Sequence, residues 1–184
     1  MSTRHLTLDE LKAGLPHIES SPKDRGALQL IVRRPRVSAR EVLDHAQLDV
    51  KEGLVGDTWN VRSSLRTEDG SPHPDMQLNI MNARVIALLA QSIDRWPLAG
   101  DQLFLDLDLA DENLPAGTRL AIGSAVIEVT PQPHTGCGKF AARFGVDATK
   151  FVNSKDGRRL HLRGINAKVV QSGTIRVGDL ACKR

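Results

Sequence analysis

Residues 119–130 read RLAIGSAVIEVT, and this stretch indicates the fold class of the chain. Residues 119–122 and 125–130 are short runs rich in β-forming side chains, and the Gly-Ser pair between them is typical of a tight hairpin turn. A similar short strand between glycines recurs at residues 173–178, with the sequence GTIRVG. Many short strands with glycine corners predict a mainly β protein, a β-barrel with a few peripheral helices.

Several other segments favour strands, because apolar residues alternate or β-branched side chains cluster in them. We predict strands at residues 28–33, 76–81, 103–109, 165–171 and 174–177, the last two as a second strand pair. Residues 38–47 fit either a helix or a strand, and both interpretations stay open.

Two helices have recognisable start signals. Thr7 and Glu10 form a possible capping box for a short helix that stops at Gly14. Asn82 can cap a second helix from Ala83 to about residue 94, because its apolar side chains repeat with helical spacing. Helices of this kind would lie outside the barrel.

Composition limits the classes of protein to which the chain can belong. Of its 184 residues 40% are hydrophobic, which suits a globular domain, and we expect an N-terminal helix and loop over residues 1–25 and one domain over residues 26–184. The net charge of +3 is mild and only 3% of residues are aromatic, so we expect no nucleic-acid partner. We find neither a signal-peptide pattern nor an apolar run long enough to span a bilayer. We therefore expect a cytoplasmic protein without membrane contact, and the oligomeric state is open.

Residues 133–145, with the sequence PHTGCGKFAARFG, carry the most reactive group that we identify. Cys137 lies between two glycines, so a ligand can approach it closely. If Gly138 opens a helix, Lys139 and Arg143 lie four residues apart on one face and can flank one anion. Cations and a helix N-terminus both favour thiolate over thiol.

The residues alone leave three roles open for Cys137. A thiolate suits a soft metal ion, and it suits equally a persulfide in sulfur transfer. In the third interpretation the cysteine is only structural, since a lone cysteine is often a small apolar filler. Cys182 does not complete a metal-ligand spacing with Cys137, and we expect it to be incidental.

Four further motifs occur in a fixed order around this segment: GLVGD at residues 53–57, QLNI at 77–80, RGINA at 163–167 and GTIRVGD at 173–179. With the cysteine motif in its place between them, the chain resembles the stand-alone MOSC domains, named after the C-terminal domain of molybdenum cofactor sulfurase. The resemblance extends over roughly residues 28–179. It implies a MOSC-type β-barrel over residues 26–184.

The resemblance also implies a cofactor, the pterin-based molybdenum cofactor of the molybdopterin type, and no pyridoxal phosphate is expected. Cys137 matches the position of the cysteine whose thiolate binds molybdenum, so it is predicted as metal ligand and catalytic residue. Asn79 matches a position that bonds the pterin edge, and Thr135 matches a hydroxyl that could donate to a phosphate or pterin oxygen. The cofactor phosphate would be held by basic residues among Lys139, Arg143 and Arg163.

Some members of the superfamily reduce N-hydroxylated substrates, and others deliver sulfur or handle the cofactor. The resemblance therefore implies either a molybdenum-dependent reductase or a sulfur carrier without turnover of its own. A reductase would take electrons from a separate reductase partner, and a sulfur carrier would receive sulfur from a cysteine desulfurase. The sequence departs from the reductases at Gln77, where they carry an arginine.

Overall fold

The structure is a computed structural model that describes residues 4–184, and these residues form eleven strands and six α-helices. The strands are β1 Gly26–Arg33, β2 Glu41–Leu43, β3 His45–Asp49, β4 Gly53–Leu54, β5 Leu78–Asn82, β6 Leu103–Asp106, β7 Arg119–Ile122, β8 Ala125–Val129, β9 Ile165–Gln171, β10 Gly173–Arg176 and β11 Leu180–Lys183. The helices are α1 Leu8–Ala13, α2 Leu15–Glu19, α3 Ala83–Ala90, α4 Gly138–Phe144, α5 Val146–Asn153 and α6 Lys155–Arg159. Short 3-10 helices lie at Thr58–Val61, Pro74–Met76 and Ile93–Ala99.

Seven strands close into a mixed β-barrel in the order β11-β7-β8-β9-β5-β6-β1. The barrel closes where β1 pairs with β11, with Gly26 opposite Ala181. Only β5 and β6 run parallel, because α3 and the 3-10 helix after it form the crossover between them. The hairpin predicted at residues 119–130 is formed by β7 and β8. The predicted fold class is therefore confirmed.

A second, three-stranded sheet in the order β10-β3-β4 lies beside the barrel. The prediction that residues 165–171 and 174–177 pair with each other is wrong. Both edges of β9 are already taken by β5 and β8, so β10 leaves the barrel and pairs with β3. Residues 38–47, which fitted either element, form β2 and the start of β3.

Two apolar clusters lie on opposite sides of the barrel wall. Neighbouring residues alternate between them: Ile31 and Ile80 face the barrel interior, and Val32 and Met81 face the helices. The outer cluster also buries residues from α1, α2 and the helices that follow β8, namely Leu11, Ile18, Phe140, Phe144, Phe151 and Val152. The helix face of the wall thereby fixes the segment that carries Cys137. The predicted boundary between residues 1–25 and 26–184 stays a prediction.

The helices α1 and α3 begin where the sequence predicts, but α3 ends earlier than predicted. Thr7 and Glu10 form the predicted capping box, and Asn82 accepts hydrogen bonds from the backbone N–H groups at the start of α3. The prediction that α3 extends to about residue 94 is wrong, because the chain leaves the helix at Gln91 in a left-handed conformation, with φ of 60°. The predicted strand at 103–109 ends at Asp106. Within residues 4–184 no helix is long and apolar enough to cross a membrane.

Candidate functional site

A cleft of about 570 Å³ gathers side chains from distant parts of the chain. Its walls come from residues 37–40, residues 61–63, β5, the turn before β6, the segment 134–143 and Arg163, two residues before β9. Five of the predicted site residues line it: Asn79, Cys137, Lys139, Arg143 and Arg163. Thr135 is not among the lining residues, and it borders a separate cavity of about 230 Å³.

Cys137 is the N-cap residue of α4, in an extended conformation, and its thiol is exposed. Partial burial raises the pKa of this thiol, but the backbone N–H groups of Phe140 and Lys139 and the charge of Arg163 outweigh that effect. The pKa of Cys137 therefore lies below its ordinary value. A Cβ added at Gly138 would meet no heavy atom within 4 Å, so the space beside the thiol is open.

Arg163 lies behind the thiol in a buried ion pair. Its Nη1 donates to Asp101 at 2.7 Å and its Nη2 donates to the Ala99 carbonyl at 3.0 Å. Its guanidinium also lies over the Phe140 ring, with Cζ 4.8 Å from the ring centroid. Both Nη atoms of Arg163 are therefore engaged, whereas its Nε is buried without a partner in the described chain, and its predicted contact with a phosphate stays a prediction.

Asp101 is fully buried and also contacts His134 Nε2 at 2.9 Å. Burial raises the pKa of Asp101, but the charge of Arg163 and the hydrogen bonds from His134 and Arg163 outweigh it and lower the pKa to about 2. Burial likewise lowers the pKa of His134, reinforced by the charge of Arg163, so the imidazole is neutral at pH 7. Neutral His134 then donates from Nε2 to the ionised Asp101.

Arg34 forms a second buried ion pair beside Asn79. Its Nε and Nη2 donate to the two carboxylate oxygens of Asp57 at 2.8 and 2.7 Å, and both side chains are almost fully buried. Its Nη1 donates to Asn79 Oδ1 at 3.0 Å, and Asn79 in turn donates to Asn166 at 2.7 Å. Asn79 is thus fixed in the cleft wall by a network that begins at the end of β1.

Four cations in the cleft have no carboxylate within 4 Å in the part of the chain that the structure describes: Arg40, Arg62, Lys139 and Arg143. Burial and then the charges of Arg143 and other arginines lower the pKa of Arg40. Burial and then the charge of Arg34 lower the pKa of Arg62. A bound anion would relieve this mutual repulsion.

Gly100 creates room between two of these cations. It adopts φ of +90°, which glycine tolerates, and a Cβ there would lie 3.6 Å from Arg40 Nη2 and 4.0 Å from Arg143 Nη1. The two guanidinium groups therefore border one small space that a side chain would fill. Two arginines around an open space over a glycine suit a phosphate group.

The sequence analysis did not identify Arg34, Arg40, Arg62 or Asp101 as residues of the site, and it named Asp57 only as part of the motif at residues 53–57. The missed residues lie in loops or at strand ends, and only the fold brings them together. Gly100, which directly precedes Asp101, was the one local signal in the sequence. A glycine can mark a place where another group approaches the backbone closely. His134, three residues before Cys137, also lies in the cleft wall.

Gln77, which departs from the reductase pattern, does not line the cleft. It is 6% exposed, and its amide donates to the Val50 carbonyl at 3.0 Å and accepts from the Val169 N–H at 2.8 Å. Gln77 therefore connects the barrel to the turn after β3. Arg34 supplies a guanidinium beside Asn79 from another part of the chain.

The chain thus combines a closed mixed β-barrel with one cleft that holds a thiol and a cluster of cations, and these two features define the class of protein. A sequence model described as the MOSC domain matches residues 67–180, and the chain belongs to the MOSC domain family. No curated protein matches the chain in sequence. Within residues 4–184 no three His, Cys, Asp or Glu side chains are grouped so that they could hold a metal ion.

Three solved structures have a similar fold. The YUAD protein from Bacillus subtilis is 17% identical, with a TM-score of 0.61 over 86% of this chain and 94% of that chain. YiiM from Escherichia coli is 17% identical, with a TM-score of 0.55 over 86% of this chain and 69% of that chain. YiiM from Geobacillus stearothermophilus is 14% identical, with a TM-score of 0.53 over 88% of this chain and 74% of that chain. At these identities the likeness concerns the fold alone.

Proposed function

We propose that the cleft binds a molybdenum cofactor of the molybdopterin type, with the thiolate of Cys137 as the protein ligand of the metal. The single observation that carries this proposal is that one cleft is lined by a thiol of lowered pKa and by four cations that have no carboxylate partner among residues 4–184. Membership of the MOSC domain family supports it, because these domains are associated with that cofactor.

The residues present fit such a group. A thiolate is a suitable ligand for a soft metal, and the open space beside Gly138 leaves the sulfur accessible. The space over Gly100 between Arg40 and Arg143 suits the cofactor phosphate, and Lys139 adds a third charge on the same wall. The cleft volume of about 570 Å³ is within the usual range for ligand sites.

The other side chains in the wall would position rather than react. Asn79 lies close enough to the cleft to bond a pterin edge, and Arg34 keeps its amide oriented. Arg163, held by Asp101, contributes positive field at Cys137 and supports the Phe140 ring. In this proposal the phosphate contacts expected of Arg163 pass to Arg40. Thr135 would reach the cofactor only if the segment 131–135 moved.

If the protein is an enzyme, the reaction that we propose is the reduction of an N-hydroxylated compound. The N–O bond breaks, two electrons and two protons are taken up, and the products are the amine and water. A bound molybdenum centre would supply two-electron redox chemistry, and a separate electron-donor reductase would supply the electrons. The protein side chains bind and orient the substrate and hold the thiolate.

The test is the metal content of protein purified from a molybdenum-replete host. We expect near-stoichiometric molybdenum by elemental analysis in the wild type and in Cys182→Ser, which removes the other thiol. Cys137→Ser should lose the metal. Wild-type protein that is metal-free and also fails to take up cofactor in vitro would contradict the proposal.

The sulfur-carrier hypothesis uses the same exposed thiolate and stays the alternative. It predicts that a cysteine desulfurase with free cysteine adds the mass of one sulfur to wild-type protein and none to Cys137→Ser. The unpartnered cations favour the cofactor, because a persulfide carrier has no use for an anion site of this size. A persulfide adduct in protein that never binds molybdenum would reverse that preference.

A further inference from the structure

A side pocket of about 150 Å³ opens beside the cleft and shares Arg62, Ser63 and Asn79 with it. Its remaining lining comes from Arg34, the 3-10 helix that carries Trp59, and the segment around His73 and Met76. Ligand sites for whole drug-sized molecules are about 300–1,000 Å³. The side pocket is therefore large enough for only one end of a ligand whose other end lies in the cleft.

Trp59, one of the residues that line the side pocket, carries a hydrogen-bond donor without a partner in the described chain. Trp59 Nε1 is buried and has no acceptor among residues 4–184. An indole N–H donates only, and buried polar groups are normally bonded, so this group requires an acceptor from outside the described chain. The neighbouring backbone is fixed, since Asp57 accepts from the Trp59 N–H at 2.9 Å.

The other polar groups around the side pocket are also mainly donors. The Nη groups of Arg62 have no carboxylate partner, and its Nε donates to Thr58 Oγ1 at 3.0 Å. His73 Nδ1 accepts from the Asp75 N–H at 3.2 Å, so neutral His73 carries its proton on Nε2. Asn79 Oδ1 is already occupied by Arg34. The side pocket thus favours a ligand edge rich in acceptors.

We propose that the side pocket receives the oxo-bearing edge of a planar, acceptor-rich heterocycle, with the Trp59 indole N–H donating to its carbonyl oxygen. This inference rests on the proposed function in one respect, namely that a pterin is the heterocycle which the proposed cofactor carries. Arg62 brings one positive charge to the side pocket, and a neutral ring rich in acceptors can take hydrogen bonds from it as well. The guanidinium of Arg34 is neutralised by Asp57, and the indole of Trp59 offers flat apolar surface as well as a donor.

The test uses the two indole groups of the chain as reporters. Protein labelled with nitrogen-15 has one indole N–H signal from Trp59 and one from Trp96, and Trp59→Phe assigns them. Metal-free wild-type protein is titrated with 6-hydroxymethylpterin, a neutral pterin, and separately with inorganic phosphate. We expect the pterin to shift the Trp59 signal and to leave the Trp96 signal, which lies in the outer apolar cluster, unchanged.

The variant adds a second measurement. Trp59→Phe keeps the ring and removes the donor, and it should weaken pterin binding about tenfold, the effect of one lost hydrogen bond. Trp96→Phe removes the other indole N–H, which lies in the outer apolar cluster and not in the side pocket, so it is the matched control and should bind as the wild type does. The pterin-induced shift of the Trp59 indole signal is measured in the wild-type protein. That result stays valid even if the Trp59→Phe protein fails to fold.

Three outcomes would overturn the inference. In the first, pterin binds without moving the Trp59 signal. In the second, phosphate moves that signal and pterin does not, which would make the side pocket an anion site. In the third, pterin does not bind although Cys137-dependent molybdenum retention is observed, and the proposed function then survives without this pocket. Absence of both pterin binding and molybdenum would instead contradict the proposed function.

Discussion

Arg40 and Arg143 approach the same empty space over Gly100 from two parts of the chain 103 positions apart. Their Nη2 and Nη1 atoms would lie 3.6 and 4.0 Å from a Cβ at that glycine. Each guanidinium is fixed by backbone carbonyls, Arg40 by Pro97 at 3.1 Å and Arg143 by Leu98 at 2.6 Å. Like charges held together in this way make the empty cleft electrostatically unfavourable and a bound anion favourable.

Replacing either arginine should therefore reduce stabilisation by anions. At a phosphate concentration of ten times Kd, binding stabilises the wild type by about 1.4 kcal/mol, which for a chain of this size raises Tm by about 3–6 °C. We expect Arg40→Gln and Arg143→Gln to lose most of this shift in a thermal melt. Their Tm without phosphate should stay equal or rise, because one repulsion is removed.

Arg176→Gln serves as the matched control, since Arg176 is an exposed arginine of β10 outside the cleft. It should keep the full phosphate shift. An equal loss in all three variants would mean that phosphate acts through the net charge of the protein, and the anion site over Gly100 would be refuted.

The thiol of Cys137 should react as a thiolate at lower pH than an ordinary cysteine. In metal-free Cys182→Ser protein, the rate of alkylation by iodoacetamide should rise with pH to a midpoint below 9.0, the ordinary value. The rate follows the thiolate fraction, so a lowered pKa moves the curve to the acid side. Metal-free Cys137→Ser protein, in which only Cys182 remains, gives the comparison, and a Cys137 midpoint at or above 9.0 would contradict the expected environment.

The ion pair between Asp101 and Arg163 should contribute to stability in a defined pH window. The pKa of Asp101 falls from 3.8 to about 2 on folding, so its contribution of about 2 kcal/mol is present above pH 3.8 and lost as the pH falls to about 2. Asp101→Asn leaves the buried Arg163 unpaired, and it should cost about 3–5 kcal/mol at pH 7.

Urea unfolding between pH 7 and pH 2 measures both effects. The slope of stability between pH 3.8 and 2 should become shallower in Asp101→Asn. Asp24→Asn offers a control, since Asp24 is an exposed carboxylate that does not line the cleft. This substitution should change the free energy of unfolding at pH 7 only slightly. A pH dependence of Asp101→Asn identical to that of the wild type would show that this carboxylate does not titrate as described.

Gln77→Arg introduces the residue that the reductases carry at this position. It should destabilise this chain without strengthening phosphate binding in the cleft. An arginine has no acceptor for the Val169 N–H, which Gln77 Oε1 now accepts at 2.8 Å, and an unsatisfied buried donor costs about 1–3 kcal/mol. We expect a lower Tm and an unchanged phosphate shift. A phosphate shift larger than that of the wild type would mean that the new guanidinium reaches the cleft.

Local signals predicted those parts of the fold that local chemistry determines. The capping box of Thr7 and Glu10, the Asn82 cap and the hairpin turn at Gly123 each involve residues close together in the sequence, and all three are confirmed. The pairing of β10 with β3 joins residues 45–48 and 173–176, and no short-range pattern encodes it. The early end of α3 depends on Gln91, whose side chain bonds the Arg4 carbonyl at 2.8 Å across the fold.

The candidate site divides in the same way. The cysteine motif was recognisable because Cys137, Lys139 and Arg143 lie within seven residues. Arg40 and Arg62 are ordinary loop arginines in the sequence, and only the closed barrel brings them to the cleft. Arg163 was identified as a cation of the site, but the carboxylate that engages it is 62 positions away. The sequence alone therefore indicated that Arg163 is available to bind an anion, although Asp101 pairs with it. It gave no sign that Arg40 is available instead.

The closure of the barrel between β1 and β11 affects how a nascent chain can fold. β2 covers residues 31–33 of one edge of β1, but the end of that edge at residues 26–27 must wait for residues 180–181. While the ribosome is still making the rest of the chain, this end of the edge is open to other strands, and such long-range pairing is slow. The cleft walls on β5 and before β6 and β9 belong to the same barrel, so we expect the complete cleft to form only after residues 180–181 have joined β1.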